Sequence, residues 1–238
     1  MIISIIQPCF VPWLGYFEQI ARADVFVYMD DVQYTKKDWR NRNRLKSPYG
    51  IKNIHVPVQK PSRDTLLMDV LISYNENWED TFLNKLREWY KTTKYFDEIY
   101  NLIEAPVLKK YEKLVDFNYD LNHQILQHMG INTPIYFTSD IPRKSNGKNE
   151  RIVEICKHHH ANMLYDGKSA QNFIEMQLFR ENGIEVIFQD YKHPSYTQLC
   201  GTFAPQLSII DLLMNTGKEA QEIILSSPVS GKLLKQTA

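Results

Sequence analysis

The chain opens on Ile2, Ile3, Ser4, Ile5 and Ile6, a run with one small polar interruption, as expected of a strand buried on both faces. Pro8 and Pro12 block regular pairing after it. Trp13, Phe17, Ile20 and Ala21 then recur at three- and four-residue steps and predict a short helix. Asp24 precedes a second buried-type strand, Val25–Tyr28. Strand, loop, helix and strand within about thirty residues is the length of one βαβ crossover. β-rich stretches follow at 51–58 and 68–73. Helical patterns come next at 78–91, 94–104 and 107–129, the last stopped by Gly130. The βα alternation then resumes, with a strand at 134–138, a helix at 149–159 and a strand at 162–165. A helix at 171–182 ends at Gly183, and 184–189 reads as another strand. Two surface-capping helices, 207–215 and 219–226, precede a frayed tail at 231–238. The expected fold is a single α/β domain over 1–238. It has a Rossmann-like, mostly parallel sheet and a helical insertion at approximately 75–130.

Composition narrows the function classes. The 238 residues are 43% hydrophobic and 24% charged, the balance of a folded chain. Lys+Arg and Asp+Glu both number 28, so there is no global charge excess for a nucleic-acid duplex to meet. No apolar run approaches the roughly 20 residues that span a bilayer. The opening lacks a basic leader and reads as a strand, with no membrane insertion expected. Three scattered cysteines, Cys9, Cys156 and Cys200, do not make a disulfide framework, and the expected compartment is the cytoplasm.

Local clustering must therefore carry the chemistry. Gln33–Lys46 holds the densest signal, with Lys36, Lys37, Arg40, Arg42, Arg44 and Lys46 against the single acid Asp38. If 40–46 is extended, Arg40, Arg42, Arg44 and Lys46 share one face, opposite Asn41, Asn43 and Leu45. Such a row suits a diphosphate, because guanidinium groups pair with phosphate oxygens. A solvated, charged edge strand is the plainer reading; the interleaved Asn residues and Trp39 favour a site. A second cluster, Asp190–Gln198, follows the strand at 184–189, where ligands bind in open parallel sheets. There His193 is a candidate general base with Asp190 to orient it, and a polar capping loop is the alternative. The tract His158–His160 sits at a helix end, where consecutive side chains diverge by about 100°, so no metal is expected. Cys9 has no basic partner nearby in sequence and reads as a small buried residue. Residues 144–148 with Arg151 read either as a phosphate-binding loop or as a mobile surface loop.

Several of these residues form a wider pattern. Gln7-Pro8, Pro12-Trp13, Gly15-Tyr16-Phe17, Asp24, Asp30, Val32-Gln33-Tyr34 and Trp39 through Arg44 resemble the signature of the WbqC-like family. Lys148, Arg151, Tyr165, Gly167, Gly183-Ile184, Asp190-Tyr191, His193-Pro194, Tyr196, Gln198, Phe203, Pro205, Leu207-Ser208 and Asp211 extend it across the chain. That family is associated with bacterial surface-polysaccharide and O-antigen gene clusters. The resemblance implies work on a nucleotide-linked sugar, namely decoration of an amino sugar with an acyl or aminoacyl group. The strand, Pro-Trp-Leu-Gly-Tyr turn and helix are also similar to the entry of nucleotidylyltransferases and pantothenate synthetases. Trp13 and Tyr16 here stand where those proteins carry His, and Gly15 is retained.

The sequence expectation is thus transfer of an acyl or aminoacyl group to the amine of a nucleotide-linked sugar. The donor is left open among acyl-CoA, an aminoacyl donor, and ATP plus a carboxylate. Arg40, Arg42 and Arg44 would hold the diphosphate, His193 would take the amine's proton, and Asp190 and Asp30 would orient that base or the sugar hydroxyls. Trp13, Tyr16 and Trp39 would stack on a base or sugar. Gln7 or Tyr196 would face the developing oxyanion. Gln33, Asn41, Asn43, Lys148, Arg151 and Gln198 complete the candidate binding set. ATP-dependent ligation through an acyl-adenylate and a non-catalytic sugar-nucleotide-binding subunit are the alternatives, and a homodimer is a further expectation.

Overall fold

The computed structural model describes residues 1–229 and Leu233. Apart from Leu233, the tail expected to fray at 231–238 lies outside the described residues. Strand β1 (Ile2–Ile6) leads through helix α1 (Leu14–Arg22) into β2 (Val25–Tyr28), as the apolar runs predict. β1 and β2 pair in parallel, Ile3 opposite Val25 and Ile6 opposite Tyr28. Alternation along these strands sends side chains to two different layers. Ile3, Ile5 and Val27 face one cluster, shared with Ile152, Ile155 and Phe179. Phe26 and Tyr28 face the other, shared with Phe17, Leu121 and Leu213.

Between β2 and the next sheet strand, the chain makes an antiparallel hairpin, β3 (Arg42–Ser47) and β4 (Gly50–His55), then three helices. These are α2 (Trp78–Tyr90), α3 (Phe96–Leu108) and α4 (Leu114–His128), and they pack on the same cluster as Phe17 and Phe26. The expected helical insertion contains all three, but departure from the sheet begins earlier, at the hairpin. Residues 68–73 are not a strand. They form a 3-10 turn, Leu67–Asp69, and isolated bridges from Leu71 and Ile72 to Lys113 and Val58. The helix break expected near 105 falls later, because α3 runs through Pro106. Pro106 occupies the last turn, where Ile99, Ile103 and Val107 are buried on the same helix, and the chain turns at Lys110 with φ 55°.

The sheet resumes with β5 (Ile135–Phe137), helix α5 (Lys148–His158) and β6 (Met163–Asp166). A 3-10 turn, α6 (Met176–Glu181) and β7 (Glu185–Phe188) follow, then α7 (Ile209–Thr216) and α8 (Ala220–Leu225). The helix expected over 171–182 is therefore shorter, with only its second half α-helical. The sheet order is β5-β2-β1-β6-β7 and every pairing in it is parallel, a Rossmann-like arrangement. Because connections leave β1 toward β2 on one side and β6 lies on the other, a crevice opens beyond the carboxyl ends of β1 and β6.

The hairpin is fixed to that crevice by side-chain amides. Asn43, 4% exposed, donates from Nδ2 to the carbonyls of Phe10 (3.0 Å) and Val11 (2.8 Å). Asn41 donates to Val56 O and accepts from the Tyr34 hydroxyl. We predict that Asn43→Ala lowers the unfolding free energy by about 1–3 kcal/mol, since it strands the buried Phe10 carbonyl while Val11 O keeps its bond from the Ser208 hydroxyl. Urea denaturation of both proteins measures it, and a change below about 0.5 kcal/mol would refute the anchoring role.

Candidate functional site

The crevice holds a cleft of about 650 Å³, built from three parts of the chain. The segment after β1 and the start of α1 supply Cys9, Trp13, Tyr16 and Gln19. The hairpin and its approach supply Trp39, Arg40, Asn43 and Arg44. The ends of β6 and β7 supply Asp166, Gly167, Lys168, Gln189, Asp190, Tyr191 and Lys192. The basic cluster near residue 40 and the polar turn near 190 thus meet around one cavity.

Trp13 forms an aromatic shelf at the entry to α1. Its ring lies edge-on to Tyr191 (5.4 Å) and stacks near His193 (6.3 Å, 17° between planes). A Cβ at Gly15 would collide with the Trp13 ring, so only glycine lets the indole lie over the helix. Helix α1 has no side-chain cap from Trp13 and no acid in its first turn. Its N-terminal end therefore adds positive potential to the cleft. The Tyr16 hydroxyl is engaged, donating to Gln7 O at 3.0 Å.

The arginine row does not act as one face. Arg40 precedes β3 and turns toward Cys9, its Nη1 2.7 Å from Sγ, with Asp38 at 3.6 Å from Nη2. Arg44 reaches the cleft beside Trp39, with its guanidinium carbon 5.6 Å from the ring centre and a hydrogen bond to Gln206 O. Lys46 is buried and donates to Gln198 Oε1 (2.8 Å) and Thr202 O (2.6 Å). Arg42 is absent from the cleft lining. Twist and the bend at residues 40–41 separate side chains that a flat strand would align. Asn41 is turned into the hairpin's interior, and Asn43, although it touches the cleft, spends its amide on backbone carbonyls. Gln33 is exposed and donates to Arg63 O.

His193 stands behind Trp13 and outside the cleft lining. Its Nε2 accepts the backbone N–H of Gln206 at 3.0 Å, and its Nδ1 lies 2.9 Å from Pro194 O, which fixes the neutral Nδ1–H tautomer. Burial pushes its pKa down. With the Nε2 lone pair already engaged, this geometry leaves His193 no free position from which to take a proton. Asp190 does not orient it. That carboxylate pairs with Lys192 (2.9 Å) and Lys168 (3.9 Å), and Lys192 holds its pKa below the usual value.

The other candidates serve the scaffold. Asp30 accepts from Thr138 Oγ1, Ser139 N and Ser139 Oγ, tying the end of β2 to that of β5. Arg151 is buried against Asp31 (2.9 Å) and the carbonyls of Thr138, Ile141 and Pro142. Tyr196 and Gln198 donate to the buried Asp211, which also accepts from Tyr90. Gln7 contributes its backbone carbonyl, and its side chain is not among the cleft-lining groups. Lys148 rests on the Phe173 ring, 3.1 Å from its centre, and its charge acts on Asp166. His159 packs on Tyr136, and among the described residues no group of three or more His, Cys, Asp or Glu is placed to hold a metal.

Several cleft residues carried no candidate role in the sequence, among them Gln19, Asp166 and Gln189, while Cys9 is buried as expected there. Cys9, 5% exposed, has its basic partner in Arg40, thirty-one positions away. Burial raises its pKa and Arg40 offsets this only in part. Asp166, the last residue of β6, lines the crevice together with the lysine-paired Asp190. Burial raises the Asp166 pKa to about 6, against opposing effects of the Gly167 N–H and Lys148. A carboxylate closing a buried strand, in Leu164-Tyr165-Asp166-Gly167, was the available signal.

The WbqC-like protein family matches this chain over residues 7–223. An uncharacterized protein of Mycobacterium tuberculosis (strain ATCC 25618 / H37Rv), Rv1507c, is 35% identical over 225 residues. The match covers 93% of this chain and 96% of the relative. No solved structure matches significantly. Among the described residues no helix is long and apolar enough to cross a membrane.

Asp166 has a consequence for stability. Its pKa is raised on folding from 3.8 to about 6, so between those values the native state holds a proton that the unfolded chain has released. Stability therefore falls as pH rises through that window, and the cost of the ionised carboxylate is fully present at neutral pH. For a partly exposed group this amounts to about 1–3 kcal/mol. Asp166→Asn is predicted to unfold at higher denaturant near pH 7, with the gain vanishing near pH 4. Equal midpoints at both pH values would refute the shift.

Proposed function

The chain belongs to the WbqC-like protein family, and from that premise we propose that it transfers an acyl or aminoacyl group to the amine of a nucleotide-linked sugar. The observation that carries this reading is a cleft with Arg40 and Arg44 on its hairpin side and the carboxyl of Asp166 at the end of β6. Arg40 and Arg44, with Trp39 beside them, suit a diphosphate and an adjoining ring. Asp166, a carboxyl with pKa about 6, suits an amine. A nucleotide-linked amino sugar carries a diphosphate at its centre and an amine on its sugar.

In this reading Asp166 takes the role expected of His193. The amine reacts only with its lone pair free, and a carboxylate with pKa near neutrality accepts its proton without being protonated in most molecules at pH 7. The nitrogen lone pair attacks the carbonyl carbon of an activated acyl donor. The C–N bond forms, the bond to the donor's leaving group breaks, and the nitrogen's proton passes to Asp166. Trp13 and Trp39 exclude water from the acyl carbon. The activated donor is an acyl thioester or an aminoacyl ester.

A second reading, carboxylate–amine ligation through an acyl-adenylate, draws on Lys168 and Lys192, a further cationic pair on the same cleft. It requires carboxylate-dependent exchange of pyrophosphate into ATP, which a simple acyltransferase does not catalyse.

The test is calorimetry with UDP-, dTDP- and GDP-linked amino sugars, followed by mass spectrometry of mixtures with acyl donors. Arg44→Ala is predicted to weaken sugar-nucleotide binding about ten- to hundredfold, the effect of losing a charge-assisted phosphate contact. Arg42→Ala, outside the cleft, changes it by less than about threefold. Asp166→Asn keeps binding and loses turnover. Equal losses from the two arginine variants would overturn the placement of the diphosphate. Full turnover in Asp166→Asn would remove the base.

A further inference from the structure

The backbone of Gln206 stands between His193 and Arg44. Its N–H donates to His193 Nε2 at 3.0 Å, and its carbonyl accepts from Arg44 Nη2 at 3.3 Å. The imidazole is fixed for this contact. Its Nδ1 lies 2.9 Å from Pro194 O, which can only accept, so the proton sits on Nδ1 and Nε2 carries the lone pair. Three rings box it in: Trp13 at 6.3 Å and nearly parallel, Tyr191 at 6.2 Å and Phe203 at 5.8 Å. Burial disfavours the imidazolium and so keeps Nε2 an acceptor. Gln206 itself has φ 59°, a left-handed conformation that a Cβ disfavours. A residue stays in such a conformation only where its surroundings impose it, and here both of its backbone groups are engaged.

Arg44 is where these contacts lead. It lines the cleft, as does Gln206, and its guanidinium lies against the Trp39 ring. Its main chain joins the same segment, since Ser208 N donates to Arg44 O at 3.0 Å. A free arginine side chain has many rotamers, and ordering it on binding costs affinity. A guanidinium already held by a carbonyl has met part of that cost before the ligand arrives. We propose that His193 is a positioning residue: by accepting the Gln206 N–H it keeps the Gln206 carbonyl on the Arg44 guanidinium and so holds Arg44 ready for the diphosphate of the ligand. The proposal rests on the placement of the diphosphate given above. His193 stands outside the cleft lining and acts only through Gln206 and Arg44. A histidine that merely stabilised its own loop would affect binding independently of Arg44.

The experiment is calorimetry with UDP on wild type, His193→Phe, His193→Gln, Arg44→Ala and the double variant of His193→Phe with Arg44→Ala, with circular dichroism to establish folding. Phenylalanine keeps a ring against Trp13 and removes the acceptor, whereas glutamine keeps an acceptor near the position of Nε2. His193→Phe is expected to weaken UDP binding at least about fivefold, and His193→Gln to stay within about twofold of wild type. Residues that act through one another do not add, so Arg44→Ala is expected to cost at least about fivefold less in the His193→Phe background than in wild type. Additive losses, a folded His193→Phe that binds as wild type does, or a His193→Gln as weak as His193→Phe each overturn the proposal. If His193→Phe does not fold, the smaller His193→Leu takes its place in the cycle. If UDP does not bind wild type, the diphosphate reading fails separately, and nitrogen-15 NMR of the free proteins decides the role of His193. The Arg44 Nε–H signal, identified by its loss in Arg44→Ala, is expected to shift in His193→Phe and to stay in place in His193→Gln. A shift in both variants, or in neither, ends the proposal.

Discussion

Residues 9–12 leave the end of β1 as irregular backbone beneath a cleft, and the site exists only because each of their carbonyls finds a donor elsewhere. Asn122 of α4 donates to Cys9 O, and Asn43 of β3 to Phe10 O and Val11 O. Ser208 donates from its hydroxyl to Val11 O, and the Ile209 N–H to Pro12 O. Buried backbone groups must be paired, and here the donors come from the hairpin, the inserted helices and the start of α7. The excursion between β2 and β5 is therefore a structural requirement of the loop that follows β1. One turn of α4 serves both sides of the cleft, because Asn118, four residues before Asn122, donates to Arg40 O. The Cys9–Arg40 contact is held by this pair of amides.

The strands β1 and β2 could be read from the sequence because they are buried on both faces and nearly uninterrupted by polar residues. The region 40–46 could not, although its composition is the most distinctive in the chain. Residue type shows that Asn43 can hydrogen-bond, but not that its partners are the carbonyls of Phe10 and Val11. Likewise, alternation places Arg42, Arg44 and Lys46 on one side of a strand without revealing that Lys46 ends against Gln198 and Thr202. Asp30, Arg151, Tyr196 and Gln198 share a physical explanation. Polar side chains that fasten distant segments together look, in a linear sequence, the same as side chains that await a ligand.

His193 and Asp166 show the same difficulty from the electrostatic side. A histidine draws attention because its ordinary pKa lies near neutrality, yet His193 is half-buried beside Trp13 and already accepts a backbone N–H. An aspartate draws none, yet burial at the end of β6 brings Asp166 into the same range. Environment, more than residue type, decides which group titrates near pH 7. The position of Asp166 follows from sheet order alone, since the reversal of connections at β1 is what leaves the end of β6 facing a cavity.

The bracing of residues 9–12 by three separate segments also bears on access. A loop tied to a hairpin, a helix in the core and the start of α7 cannot swing as a hinged flap without breaking several buried contacts at once. Entry and exit are left to the rim, where Trp39 is 48% exposed and the Lys168 and Lys192 side chains extend into water. Rotamer changes of such groups occur in picoseconds to nanoseconds, far faster than typical turnover. The receptacle thus keeps its shape, and any ligand would meet it as a preformed mould.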